Sequence, residues 1–209
     1  MKNYVILGCD DSLNSLLDII SAQGNRLKKV VCHNSQMVQL SQAYLSLAFE
    51  SLETFIPEPD EIYLCGLFGK KAIILHQKFR DEMGISFDTL IHPNAIISLT
   101  AHLSPGSVIS AGVIIASSVV IGENCFVGQG VIFGHDTVLE NYVIVQSGSK
   151  LAGHLRVGEG AIIGMGATII EDVSIGNYAR IEPGAVVLKD VASQTVVSGV
   201  PAVVKETIN

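Results

Sequence analysis

A six-residue period runs through the chain from residue 91 to residue 191, and it limits the possible folds more than any other feature. Every sixth residue from Ile91 to Val187 is large and apolar, over seventeen hexads without a break. Four positions after each of them stands a second set, from Ala95 to Val191, whose members are small or β-branched except for Leu155. Gly, Asn or Asp often precedes this second set, and these residues tolerate the left-handed backbone of a tight turn.

A period of six fits neither an ordinary α-helix nor a flat sheet. It is typical of a solenoid whose short strands are joined by tight turns, with one large side chain per strand pointing inward. Stacked coils of such a solenoid pair their backbones about 4.8 Å apart, and the narrow interior accounts for the small second set. The sequence therefore predicts an all-β parallel helix over residues 89–209.

Residues 1–88 follow a different rhythm, in which strand-like and helix-like segments alternate. Strands are predicted at residues 3–8, 28–33 and 61–66, and helices at residues 11–24 and 70–84. The segment 36–56 has no clear pattern. Because alternating strands and helices are typical of a parallel α/β fold, a separate small α/β domain is predicted over residues 1–88.

Composition excludes several classes of protein. Hydrophobic residues make up 48% of the chain, but its apolar runs are broken by Ser and Gly before they reach the length of a membrane span. The first residues do not have the pattern of a signal peptide. A formal net charge of −7 without a basic run disfavours nucleic acid or an anionic membrane as the main partner. The cysteines are scattered, which favours core positions in a reducing, cytoplasmic compartment over disulfides or a zinc site.

Four motifs accompany the hexads: "LIHPNAIIS" at 90–98, "GHD" at 134–136, "LAGHLRVGEGAIIGMGATI" at 151–169 and "VVSGVPA" at 196–202. With these motifs the chain resembles the family of sialic-acid O-acetyltransferases and UDP-amino-sugar N-acetyltransferases, which includes bacillosamine- and perosamine-type enzymes. The resemblance implies a Rossmann-like N-terminal domain, a left-handed β-helix and a homotrimer. It also implies that acetyl-CoA binds between neighbouring helices.

His135 and Asp136 stand side by side at a turn of the repeat, two places after the inward Phe133. Acetyl transfer from a thioester needs a base for the proton of the nucleophile, and histidine suits this role because its ordinary pKa lies near neutral. A carboxylate bonded to the other ring nitrogen fixes the tautomer and stabilises the imidazolium. The family places Glu or Asp after this histidine, so Asp136 takes the orienting role. A polar pair that merely caps the turn is the alternative.

If three hexads make one coil, as the family implies, Gly153 lies one coil after His135 and leaves a notch beside the imidazole. By resemblance, the Gly153 N–H polarises the thioester carbonyl. The family also points to a set of donor-binding residues: Gly153, His154, Arg156, Gly164, Gly199 and Pro201. For His154 the sequence favours a solvent-facing turn residue over a donor contact, and for each basic residue it favours an ordinary surface charge. No metal is predicted, because Glu140 stands where the second histidine of a γ-carbonic-anhydrase-type site is needed.

The N-terminal domain departs from the family at the turn after its first strand. The family has a glycine-rich turn there for the nucleotide phosphates, whereas this chain keeps Gly8 and places Asp10 and Asp11 next to it. Two carboxylates are expected to repel a diphosphate. Gly8, Asn34 and Glu140 are the predicted acceptor-binding residues, with Asn34 positioned to hydrogen-bond a base or ribose and Glu140 to recognise an ammonium group.

Two functions follow from these features. The first is an acetyl-CoA-dependent acetyltransferase that acts on the amine or hydroxyl of a nucleotide-linked amino sugar or a sialic-acid-like sugar. The second is a non-catalytic trimeric scaffold or a CoA-binding regulator that has lost its acceptor site. The intact "GHD" favours the enzyme, and the altered "GCDDS" turn at 8–12 favours the scaffold or regulator.

Overall fold

A computed structural model of the chain describes residues 1–10, 12–32 and 47–208. The N-terminal part contains strands β1 (Asn3–Leu7), β2 (Arg26–Cys32), β3 (Phe49–Ser51) and β4 (Ile62–Cys65), and helices α1 (Leu13–Ala22) and α2 (Lys70–Met83). The four strands form a parallel sheet in the order β3-β2-β1-β4. Tyr4 and Ile6 of β1 pack with α1, whereas Val5 and Leu7 pack with α2.

This is the parallel α/β arrangement that the sequence predicts, with one helix on each face of the sheet. Strand β2 begins two residues earlier than predicted, and β3 lies in the segment that had no clear pattern. The Rossmann-like classification stays a prediction. Helix α2 ends at Gly84, whose φ of +65° lies in the left-handed region that glycine adopts freely.

From residue 90 onward the chain forms a β-solenoid, as predicted. Its seventeen two-residue strands, β5 to β21, are Leu90–Ile91, Ile96–Ile97, His102–Leu103, Val108–Ile109, Ile114–Ile115, Val120–Ile121, Phe126–Val127, Ile132–Phe133, Val138–Leu139, Ile144–Val145, Lys150–Leu151, Arg156–Val157, Ile162–Ile163, Thr168–Ile169, Ser174–Ile175, Arg180–Ile181 and Val186–Val187. Two longer strands follow, β22 (Thr195–Ser198) and β23 (Val203–Thr207). The solenoid is consistent with a left-handed β-helix.

The strands stack into three flat sheets, one on each side of a triangular prism. Sheet I has the order β23-β22-β20-β17-β14-β11-β8-β5, sheet II the order β21-β18-β15-β12-β9-β6, and sheet III the order β19-β16-β13-β10-β7. Each coil runs from sheet I through sheet II to sheet III, and equivalent residues of successive coils are 18 positions apart. The three corners are named here I–II, II–III and III–I after the sheets that they join.

The inward residues follow the two predicted sets. The large set is buried from Ile109 onward, whereas Ile91, Ile97 and Leu103 are only partly covered because the first coil is the open end of the solenoid. Three buried hydroxyls of the small set donate to carbonyl oxygens of neighbouring turns at 2.7–2.9 Å: Ser107, Thr137 and Ser149. These hydrogen bonds let polar residues occupy the narrow interior.

The α/β part packs on the outer face of sheet I. Side chains of α1 and β1 form one buried cluster with Leu90 and Val108 of the solenoid. Cys32, Cys65 and Cys125 are buried free thiols, as predicted for core residues, and Cys9 is partly exposed. Among the described residues, none of the helices is long and apolar enough to cross a bilayer.

Candidate functional site at the II–III corner

His135 and Asp136 lie at the II–III corner, in the turn between β12 and β13. Asp136 has a φ of +57°, a left-handed value that aspartate tolerates better than most residues. Its N–H donates to the carbonyl oxygen of Ser117 in the preceding coil at 3.0 Å. This turn brings two consecutive side chains together, and the His135 Nδ1 lies 2.8 Å from the Asp136 Oδ2. The predicted contact between imidazole and carboxylate is therefore present.

Gly153 lies against the ring of His135, one coil later, as the spacing of three hexads predicts. A β-carbon at Gly153 would stand 3.2 Å from the His135 Cε1 and 3.3 Å from its Nε2. The ring therefore uses the space that a larger residue would fill. Among the hydrogen bonds of the described residues, none uses the Gly153 N–H, although Gly153 itself is buried and its nitrogen lies close to Gly134 of the preceding coil.

His154 lies edge-on to His135 at the same corner. The two ring centroids are 4.9 Å apart with an interplanar angle of 88°. The N–H of His154 donates to the His135 carbonyl oxygen at 3.0 Å, so the backbone of one coil fixes the next. A residue predicted to contact the donor thus lies beside the predicted base. The ligand atoms of His135, Asp136 and His154 all lie within 4.8 Å of one another.

The corner is open to solvent. The side chain of His135 is 52% exposed and that of Asp136 is 48% exposed. Next to them on the outer face of sheet II lie Ile114 and Ile132, which are 39% and 40% exposed. An apolar strip therefore borders the polar pair.

The other predicted donor-binding residues are divided between two corners. Arg156 begins β16 next to the II–III corner, whereas Gly164 lies at the I–II corner. Gly199 and Pro201 lie at the last coil, where the Gly199 carbonyl and the Ala202 N–H bond to Val186 of β21. The outer face of sheet II separates the two groups, so the structure does not bring these residues to one place within a single chain.

Glu140, a predicted acceptor-binding residue, lies at the III–I corner. Its Oε2 accepts a hydrogen bond from the Glu159 N–H of the next coil at 3.0 Å. Sheet III separates this corner from His135, so the two residues do not converge within one chain. Glu140 stabilises a turn in this structure, and its acceptor role stays a prediction.

A crevice of about 430 Å³ lies between the start of α2 and the outer face of sheet I. Its lining includes Phe68, Lys70, Lys71, Ile162, Tyr178 and Arg180. The Lys70 Nζ lies 5.0 Å from the centroid of the Tyr178 ring, and the Tyr178 hydroxyl donates to the Glu159 carboxylate. The crevice thus combines an aromatic ring, aliphatic side chains and three cationic side chains.

The first-strand turn contributes Asp10 to the same crevice. Its Oδ1 accepts hydrogen bonds from the Ser12 N–H and hydroxyl at 2.8 and 2.6 Å. Gly8 is buried, and a β-carbon there would stand 2.8 Å from side-chain atoms of Leu67 and Leu75. Packing therefore accounts for this glycine without a ligand. Asp11 and Asn34 lie outside the described residues.

Sequence reasoning missed Lys70, Lys71 and Tyr178. A signal for the two lysines is present, because they open a helix whose first turn has no acidic residue. Cations at a helix N-terminus oppose the helix dipole, so such a pair suggests that a negatively charged group is bound nearby. Tyr178 gives no signal in the sequence beyond its place in a turn.

The repeats match the family described as bacterial transferase hexapeptide (six repeats), over residues 118–153 and 154–189. PerB from Caulobacter crescentus, in complex with CoA and GDP-perosamine, is 26% identical with a TM-score of 0.86, and the match covers 99% of this chain and 98% of that chain. A mutant of perosamine N-acetyltransferase from the same organism is 25% identical with the same TM-score and coverage. The acetyltransferase domain of PglB from Neisseria gonorrhoeae is 21% identical with a TM-score of 0.84, over 98% and 99% of the two chains. WeeI from Acinetobacter baumannii is 19% identical with a TM-score of 0.84, over 98% and 100%.

The last two similarities show the fold alone, whereas the first two also support an acyltransferase. A search of curated proteins gave no match. The resemblance inferred from the sequence motifs is confirmed: the chain contains hexapeptide repeats and is similar to β-helix sugar acetyltransferases.

Proposed function

We propose that this protein transfers an acetyl group from acetyl-CoA to the amine, or hydroxyl, of a nucleotide-linked amino sugar or a sialic-acid-like sugar. The observation that carries the proposal is the 2.8 Å contact between the His135 Nδ1 and the Asp136 Oδ2, at an open turn of a transferase hexapeptide repeat. The similar enzyme from Caulobacter crescentus, an N-acetyltransferase in complex with CoA and GDP-perosamine, supports acetyl-CoA as the donor and an amine as the nucleophile.

In the proposed mechanism His135 acts as the general base. The acceptor amine attacks the carbonyl carbon of the thioester, and His135 takes the proton that the amine loses. The C–N bond forms as the C–S bond breaks, and the proton passes to the leaving thiolate, so that the coenzyme thiol is released. A hydroxyl acceptor forms a C–O bond in the same way. A positioned base of this kind contributes about 10²–10⁴-fold in rate.

Asp136 and Gly153 support this step in different ways. Asp136 holds the His135 ring in one orientation and stabilises the imidazolium that forms. The Gly153 N–H, which no described residue engages, is the proposed donor to the carbonyl oxygen as negative charge develops on it. Burial raises the pKa of the Cys125 thiol to about 12. This thiol is therefore unsuited to form an acyl-enzyme, and transfer proceeds directly from donor to acceptor.

The crevice beside α2 is the proposed acceptor site, in keeping with an acceptor role for residues 1–88. Lys70, Lys71 and Arg180 supply positive charge for a nucleoside diphosphate, and Tyr178 offers a flat ring. Asp10 keeps its negative charge while Ser12 donates to its Oδ1, but the three cations of the crevice outnumber it. The apolar floor includes Ile162 and suits a sugar or base face.

The positions of the two sites favour an assembly of several copies. The crevice lies on sheet I near the III–I corner, whereas His135 lies at the II–III corner on the far side of sheet III. An acceptor held in the crevice of one chain therefore reaches a base supplied by a neighbour more readily than the base of its own chain. A homotrimer, as the family resemblance implies, provides such neighbours, and the exposed Ile114 and Ile132 suit a covered face.

Release of the coenzyme thiol from acetyl-CoA, measured across a panel of acceptors, tests the proposed function. The panel contains UDP-4-amino sugars, GDP-perosamine, free and CMP-linked sialic acids, and simple amines. We expect thiol release with one nucleotide-linked amino sugar and little with the simple amine. No release with any acceptor, together with retained CoA binding, would contradict the proposal and favour a CoA-binding regulator.

A further inference from the structure

Two imidazoles and a carboxylate meet at the II–III corner, and the base mechanism uses only one imidazole. His135 and Asp136 belong to one turn, and His154 belongs to the equivalent turn of the next coil. The backbone hydrogen bond from the His154 N–H to the His135 carbonyl, at 3.0 Å, holds the two turns together. The proposed acetyl transfer gives the second ring no part in the chemical step beyond its predicted contact with the donor.

The three side chains lie close enough together for one ion to bind all of them after small side-chain rotations. One ligand atom from each residue lies within 4.8 Å of the other two, and all three residues are exposed at the surface. A zinc ion with ligands at about 2.0–2.2 Å needs its donors somewhat closer together. Rotation of exposed imidazole and carboxylate groups about their side-chain bonds provides this adjustment without moving the backbone.

The chemistry of the donors selects the class of ion. Imidazole nitrogen and carboxylate oxygen are ordinary ligands of Zn²⁺, and three protein ligands leave a fourth position for water. Calcium and magnesium prefer sites made of oxygen ligands, so two imidazoles disfavour them. Copper(II) binds such nitrogen ligands more tightly than zinc and belongs to the same class of ion.

We propose that His135, Asp136 and His154 form a binding site for a divalent transition-metal ion of the zinc type, and that the bound ion inhibits the protein. An ion that engages His135 removes the lone pair that accepts the proton of the acceptor. It also draws Asp136 away from the orienting contact. The inhibitory part of this inference rests on the proposed function, whereas the binding part does not.

His154 is the residue that distinguishes this site from the catalytic pair alone. Without it, one imidazole and one carboxylate remain, and two ligands hold zinc weakly. Residue 154 has a φ of +58°, which asparagine tolerates well, so His154→Asn removes the imidazole and keeps the backbone. His102, an exposed histidine on β7 of sheet III, provides the matched control His102→Ala.

Calorimetric titration of the chelator-treated full chain with zinc chloride tests the binding. We expect one zinc ion per chain, with an affinity that falls on the order of tenfold or more in His154→Asn, because loss of an outer partner alone costs 10–100-fold. The affinity of His102→Ala should equal that of the unchanged protein. A weaker affinity in Asp136→Asn would complete the ligand set.

Two outcomes overturn the inference. Absence of saturable zinc binding removes the site, and equal affinity in His154→Asn and the unchanged protein places any bound ion elsewhere, for example at the partly exposed thiol of Cys9. Zinc should also inhibit thiol release in the unchanged protein, with recovery on addition of chelator, and His154→Asn should need more zinc for the same fractional inhibition. If the metal-free protein transfers no acetyl group, the proposed function fails while the titration still decides the metal site.

Discussion

The corner that carries His135 and the crevice beside Lys70 differ in how their side chains are held. At the corner, each side chain has a direction set by its place in the six-residue repeat. Hydrogen bonds between successive coils, such as the one from the Asp136 N–H to the Ser117 carbonyl, keep it there. The crevice draws its side chains from the turn after β1, the start of α2, sheet I and the C-terminal residues. The corner therefore depends on local backbone, and the crevice depends on how two parts of the chain pack.

The largest effect is expected where the repeat sets side-chain direction. Phe133 points into the solenoid with 1% exposure, whereas the neighbouring Ile132 points outward with 40% exposure. Phe133→Ala should lower the free energy of unfolding by about 3–5 kcal/mol. Ile132→Ala should lower it by less, by about 1–2 kcal/mol, because Ile132 is 40% exposed and a smaller apolar area is lost from contact. Urea denaturation of both variants measures the difference. Equal losses would contradict the rule that alternate positions differ in burial.

A smaller effect is expected at the ring contact of Gly153. In Gly153→Ala the new β-carbon stands 3.2 Å from the His135 Cε1, so the ring must shift. The ring needs to move by a few tenths of an ångström. Because displacement of a catalytic group by about 1 Å costs up to about 10²-fold in rate, we expect thiol release to fall by about three- to tenfold. In a His135→Ala background the same substitution should have little further effect. An equal loss in both backgrounds would show that Gly153 does not act through His135.

A smaller effect is expected in the crevice beside α2. Lys71→Gln removes one of three cations, and the KM for a nucleotide-linked acceptor should rise about fivefold, which corresponds to about 1 kcal/mol. The KM for acetyl-CoA should not change. Lys78→Gln, an exposed lysine near the other end of α2, is the matched control. If both KM values rise together in Lys71→Gln, the crevice does not belong to the acceptor alone.

The smallest effect concerns the interface between α2 and the solenoid. His76 is 5% exposed and stacks on Phe87 with the Tyr142 hydroxyl 3.4 Å from its Nδ1. Burial, helped by the nearby Arg80 charge, lowers the pKa of His76, against the opposite influence of Glu123 and Asp81. The folded chain therefore binds fewer protons than the unfolded chain as the pH falls below about 6.5. The free energy of unfolding should therefore decrease as the pH falls below this value.

His76→Gln tests this pH dependence. The difference in unfolding free energy between the unchanged protein and His76→Gln should be constant above pH 6.5 and should shrink below it. The decrease is limited to about 1.4 kcal/mol for each unit by which the pKa of His76 differs between the folded and the unfolded chain. Urea denaturation at pH 7.5 and pH 5.5 measures both differences. A difference that stays constant to pH 5.5 would show that His76 titrates alike in the folded and unfolded chains.

The six-residue repeat made it possible to predict the solenoid, and the turn that carries His135 and Asp136, from the sequence. A period of six determines which side chains point inward and which positions turn, and the three hexads per coil that the family resemblance implies put Gly153 one coil after His135. The sequence could not show whether Glu140 meets His135, because the two lie on different corners of the prism and only another copy of the chain could bring them together. It also could not show that Lys70, Lys71 and Tyr178 share a crevice, because that depends on packing between parts of the chain distant in sequence.

Thiol release from acetyl-CoA by His135→Ala, with the acceptor that gives the highest rate in the unchanged protein, tests the central claim most directly. His102→Ala serves as the control for loss of an exposed histidine from the same solenoid. We expect a fall of about 10²–10⁴-fold in His135→Ala and an unchanged rate in His102→Ala. A rate in His135→Ala within a few-fold of the unchanged protein would contradict the claim and place the base elsewhere.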